Sequence, residues 1–183
     1  VTAGTLQATN LSALQNSAGL TVASGAAFNV VTGTGGVMTL APTTGIGLTL
    51  NGGSSIGAEL GAATLNTSSG TITLQTGATA STSGVIALNI FGLGTTTAGT
   101  YTILSSPSGG LNGATYSIGT VTGSGITVDS ISSTATFVKV NVTVNPIASA
   151  FWRGGFSGQP DVWSQPNWAT SATGALRSWI PNA

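Results

Sequence analysis

Leu48-Thr49-Leu50-Asn51-Gly52-Gly53 is the stretch on which the reading of this chain turns. Two leucines alternating with a threonine make a short strand with one apolar and one polar face. The Asn-Gly-Gly behind it makes a corner, because glycine enters positive φ without steric cost. The same couplet recurs in both directions along the chain. Alternating segments stand at Leu20-Thr21-Val22, Phe28-Asn29-Val30, Met38-Thr39-Leu40, Ile72-Thr73-Leu74, Tyr101-Thr102-Ile103, Tyr116-Ser117-Ile118 and Ile126-Thr127-Val128. Between them lie glycine-rich tips such as Gly33-Thr34-Gly35-Gly36, Gly45-Ile46-Gly47, Gly109-Gly110 and Gly123-Ser124-Gly125. The longest strand signal is Val138-Lys139-Val140-Asn141-Val142-Thr143-Val144, valine on one face and Lys, Asn and Thr on the other. No helical stripe interrupts the series, so the class is all-β.

Short strands, glycine corners and outward Thr, Ser and Asn positions suited to stacked side-chain ladders favour a β-solenoid over the first hundred residues. A single coil cannot bury its apolar face alone and needs neighbours above and below. From Thr97 the strand signals lengthen and separate into pairs, as in antiparallel hairpins closing a unit. The expected organisation is therefore solenoid coils over 1–96, an antiparallel closing segment over 97–147 and a distinct last segment over 148–183. A β-sandwich made of the same strands is the alternative architecture.

Composition narrows the chemistry. Of 183 residues only 3% are charged, three Lys+Arg against three Asp+Glu, with no His and no Cys; ordinary soluble domains carry about 25%. Without His or Cys there is no usual zinc site, no Ser-His-Asp triad, no Cys-His pair and no imidazole acid/base. Six ionisable side chains that cancel in charge do not neutralise a nucleic-acid backbone. Mean hydropathy is +0.40, the reverse of the low hydrophobicity and high charge of disordered chains. No run approaches the roughly 18 apolar residues of a membrane helix, and no basic and apolar leader is visible, so any export signal is expected outside this sequence.

The three carboxylates Glu59, Asp129 and Asp161 are few and scattered for a glycosidase pair. No glycine-rich stretch has the Asp positions of a calcium-binding nonapeptide or the Gly-Lys-Ser/Thr of a phosphate loop. We therefore expect no catalytic, metal or cofactor site. Asn10-Leu11-Ser12, Asn66-Thr67-Ser68 and Asn141-Val142-Thr143 match the N-glycosylation triplet, a pattern that arises by chance in a chain rich in Ser and Thr.

The last segment differs in kind. All four tryptophans, Trp152, Trp163, Trp168 and Trp179, fall after Ala150 with both arginines and half of the six prolines, which marks a boundary near Asn145-Pro146-Ile147. These tryptophans, with Arg153 and Asn167 as hydrogen-bonding neighbours, are the candidate site residues. They could stack on sugar rings, or fill the end of a solenoid or the joint between units; the second use is preferred, since an open end of stacked strands must be covered or paired. Arg153 and Asp161 are a candidate pair across such a cap.

Several stretches resemble a known family. Gly4-Thr5-Leu6-Gln7-Ala8-Thr9-Asn10-Leu11 followed by Leu20-Thr21-Val22-Ala23-Ser24-Gly25-Ala26 is similar to the autotransporter-associated β-strand repeat. Ala98-Gly99-Thr100-Tyr101-Thr102-Ile103-Leu104 with Gly109-Gly110-Leu111-Asn112-Gly113 resembles the segment that closes a unit in those proteins. Trp152-Arg153-Gly154-Gly155 through Asn167-Trp168-Ala169 resembles the tryptophan-rich segment that opens the next. The resemblance implies a passenger-type β-solenoid at or outside a bacterial cell surface, used for display, adhesion or fibre building. It brings no catalytic residue with it.

The functional expectation is a non-enzymatic extracellular structural protein whose repeats or subunits stack through β-strands into a fibre or layer, with itself as partner. The alternatives are a carbohydrate-binding adhesin module that exposes the tryptophans to surface glycans and, behind it, a β-helical polysaccharide-degrading enzyme.

Overall fold

The computed structural model describes residues 1–145, together with the backbone of two short strands at Phe151–Trp152 and Trp168–Ala169. The chain divides into two compact units, Val1–Val144 and Asn145–Ala183. Unit one is a β-solenoid of about three turns. Among the described residues no helix is long and apolar enough to cross a membrane.

Three faces make up each coil. The first face is a five-stranded sheet containing β1 (Thr5–Ala8), β3 (Ala27–Val30), β6 (Ser55–Leu60), β9 (Gly84–Gly92) and β11 (Ala114–Thr122), stacked in that order and all parallel. The second is the parallel trio β2 (Leu20–Val22), β5 (Gly45–Leu50) and β8 (Ala78–Thr82). The third begins parallel with β4 (Met38–Thr39), β7 (Ile72–Thr73) and β10 (Gly99–Ser105) and ends antiparallel with β13 (Phe137–Val144) and β12 (Ile126–Ser133). The antiparallel pairing expected after Thr97 is therefore present in β10–β13 and β12–β13, while parallel stacking also continues past residue 96, through β10 on β7 and β11 on β9.

Register lines the core residues up in columns. On the first face Leu6, Phe28, Ile56, Leu88 and Ile118 are successive partners, and so are Ala8, Val30, Ala58, Ile90 and Val121. The steps between the members of the first column are 22, 28, 32 and 30 residues, so the coils match in register but not in length. The middle members Phe28, Ile56 and Leu88 are all 0% exposed. Leu48, Leu50 and Ala78 from the second face and Met38, Ile72 and Leu104 from the third meet them in one continuous core. Burying apolar area at about 25 cal/mol per Å² is what drives so uncharged a chain to fold without helices.

Outward positions carry the ladders. Thr21, Thr49 and Ser81 stack on the second face, and Thr39, Thr73 and Ser105 on the third. Corners supply the close approaches between coils. Gly35 has a φ of 59° and its Cα lies against the backbone of Gly61, so that a Cβ on either residue would overlap the other.

Candidate functional site

Most of the expected site residues lie outside the described residues: Trp163, Trp179, Arg153, Asn167 and Asp161. Of the remainder the backbone is described. In unit two β14 (Phe151–Trp152) and β15 (Trp168–Ala169) pair antiparallel, which sets Phe151 across from Ala169 and Trp152 across from Trp168. Two of the four tryptophans, far apart in sequence, thus share a register position. Directly opposed positions on an antiparallel pair are the closest cross-strand neighbours.

Within unit one the structure brings together a group that the sequence does not announce. Along β6 Ile56, Ala58 and Leu60 point into the core at 0% exposure, so Glu59 is forced to the outer face. There it meets the corner that follows β3. Gly33 and Gly35 both take left-handed φ, 77° and 59°, and such a turn aims successive N–H groups to one side as an anion-holding concavity. The Glu59 carboxylate fills it. Its Oε2 accepts hydrogen bonds from the N–H groups of Thr32 at 3.1 Å, Thr34 at 3.1 Å and Gly35 at 2.8 Å, and from the Thr32 hydroxyl at 3.1 Å. Its Oε1 accepts from Gly33 N–H at 3.0 Å. The side chain is only 3% exposed.

Burial pushes the Glu59 carboxyl up, and the backbone hydrogen bonds from Gly35, Gly33 and Thr32, with that of the Thr32 hydroxyl, more than offset it, leaving it below the usual carboxylate value. The group is therefore held ionised with its acceptor capacity used, which fits it to fasten a corner and not to deliver a proton as a glycosidase acid must.

Among the described residues Asp129 and Lys139 stand on other strands. Asp129 lies in β12 where the pairing with β13 shifts register between Val128 and Ser130, and it accepts the Thr143 hydroxyl at 2.6 Å. The Lys139 ammonium sits 5.0 Å from the Phe137 ring centroid, within cation–π range. Among the described residues no three of His, Cys, Asp and Glu gather as a metal site would require.

A second outer row, beside Glu59, runs Gln7, Asn29, Gly57 and Asn89 on successive coils. The Asn29 amide lies over Gly57, in space that a side chain there would occupy, with the Phe91 ring against the same glycine. Asn89 repeats the arrangement over Gly119, and its Oδ1 accepts the Thr120 N–H at 2.9 Å inside the irregularity that separates Ile118 from Val121. The Asn residues of the glycosylation-like triplets are also engaged: Asn10 Oδ1 accepts Ser12 N–H at 2.8 Å, Asn66 Oδ1 accepts Thr100 N–H at 3.3 Å and Asn141 Oδ1 accepts the Thr100 hydroxyl at 3.4 Å.

Compared with known proteins, the chain matches no family model, no curated protein and no solved structure.

Proposed function

We propose that this chain is a structural protein of a bacterial cell surface or its exterior, a unit of a fibre or layer assembled by stacking β-coils end to end. The observation that carries the reading is the first face: five parallel strands in register, bounded at one end by β1, which has no charge, proline or bulge. Soluble proteins normally guard such an edge against pairing. A net charge of zero on six ionisable side chains removes the repulsion that would otherwise keep copies apart. In this reading the solenoid has no substrate, and the tryptophan-rich segment serves at the joint between units.

Electron microscopy of the purified chain near neutral pH, with quenching of tryptophan fluorescence on the same sample, tests it. Ordered filaments or sheets with poorly quenched tryptophans are expected. Dispersed monomers would overturn it. A second reading, a carbohydrate-binding adhesin, is favoured by the register that sets Trp152 across from Trp168, since paired aromatics can form a platform for sugar rings. Monomers with readily quenched tryptophans that are protected by added oligosaccharide are its signature.

A further inference from the structure

Four large apolar side chains are exposed in unit one: Leu6, Ile46, Val85 and Ile118. Two of them, Leu6 at 48% and Ile118 at 38%, are the first and last members of the same core column, whose three middle members are fully buried. Among the described residues each lacks the coil that covers every member between them. The adjoining column differs at its first end, where Ala8 is already buried at 6% exposure, while Val121 at its last end is only part-buried. Strands β1 and β11 run in the same direction, and among the described residues each has one row of backbone groups without ladder partners in the sheet. Ends that share strand direction, column spacing and apolar character repeat the contact already made four times inside the molecule.

We propose that β11 of one copy seats on β1 of a second copy in parallel, with Ile118 over Leu6 and Val121 over Ala8. The inference rests on the stacking function proposed above and specifies its joint. The occupant is another copy of this chain because the mating surface is the chain's own coil-on-coil interface. Such a contact is head-to-tail, so it propagates and does not close into a symmetric pair. The irregularity at Gly119-Thr120 gives it one register. A plain strand can slip along its neighbour, whereas a bulged one matches only where the columns on both sides of the bulge align. The end of the third face contrasts with this: β12 carries Asp129 in its own irregularity, and a charge on a bulged edge disfavours pairing. Growth is thereby directed to the first face.

The chain contains no cysteine, so a cysteine at each end reports this joint alone. Adjacent strands are about 4.8 Å apart, inside the span a disulfide bridges. In the full-length double variant Leu6→Cys with Ile118→Cys, mild oxidation is expected to give a ladder of dimers, trimers and longer products on a non-reducing gel. A mixture of the two single variants should stop at a dimer. Leu6→Lys, at a half-exposed position, is expected to leave the thermal midpoint in place and to raise the concentration needed for assembly by about tenfold or more. Filaments that form without any cross-linked ladder would overturn this joint and leave the stacking function standing. Monomers by sedimentation, with no ladder at any concentration, would overturn both.

Discussion

Glu59 shows how one side chain can hold two coils. A carboxylate that is 3% exposed would be costly if unpaired, yet four consecutive N–H groups and one hydroxyl receive it. Hydrogen bonds to a charged group are each worth about 1.5–3 kcal/mol net. Replacing the acceptor by an amide keeps the shape and gives up the charge, so Glu59→Gln is expected to destabilise unit one by about 2 kcal/mol, read as a shift in urea midpoint. Acid should act on the same contact. The folded carboxyl sits below its ordinary 4.5, so the unfolded chain takes up the proton first. The stabilisation is complete above that value and drains away as pH falls through the lower folded one. Denaturation curves collected from pH 6 downward should therefore converge for wild type and Glu59→Gln; a constant gap would refute the clasp. Gly35→Ala attacks the other partner, imposing a left-handed φ on alanine and driving its Cβ into Gly61. A loss on the order of 2 kcal/mol or more is expected in the same assay. None of this was legible in the sequence, because the partners of Glu59, four backbone N–H groups and one threonine hydroxyl, lie 24 to 27 residues away. Only the glycines of the corner were visible.

At the scale of the element, the strands that the sequence announced are those whose outward residues are Thr, Ser or Asn, as in β2, β5, β7 and the start of β10. Strand β6 gave a weaker signal. Its inward Ile56, Ala58 and Leu60 alternate with Gly57 and Glu59, residues that strands usually avoid. Each has a tertiary reason invisible along the chain, Gly57 to make room for the Asn29 amide and the Phe91 ring, Glu59 to enter the corner. The start of β11, which pairs with β9, was announced by Tyr116-Ser117-Ile118, but its continuation beyond Ile118 was not, because Gly119 sits in the bulge that receives Asn89. Position within a column should decide what a truncation costs. Ile56→Ala, at the middle of the Leu6–Ile118 column, is expected to cost about 2–5 kcal/mol, whereas Leu6→Ala, half in water already, should cost under about 1 kcal/mol. Equal losses in thermal or chemical unfolding would mean that the columns are not the unit of stability.

For unit one as a whole, the all-β class and the solenoid coils were readable because a coil's pattern is local: alternation, corner, alternation. Pairing order was not, since near-equivalent Gly-Thr-Ser segments define many registers equally well. The tryptophan-rich segment was readable as a compositional break, and the backbone opposition of Trp152 and Trp168 was beyond reach of any periodicity. A stack in which each coil touches only its neighbours should open from its ends. Amide hydrogen exchange is expected to be slowest in β3, β6 and β9 and faster in β1 and β11; uniform protection across the first face would show a single cooperative block instead.

The unequal steps of 22, 28, 32 and 30 residues between members of one column have a consequence for how such a molecule can change. The stack keeps count of rows and is indifferent to how much chain is spent in reaching the next one. Lengthening a corner alters what the surface displays while leaving every column aligned, so the exterior can be rewritten by insertion and deletion as readily as by substitution.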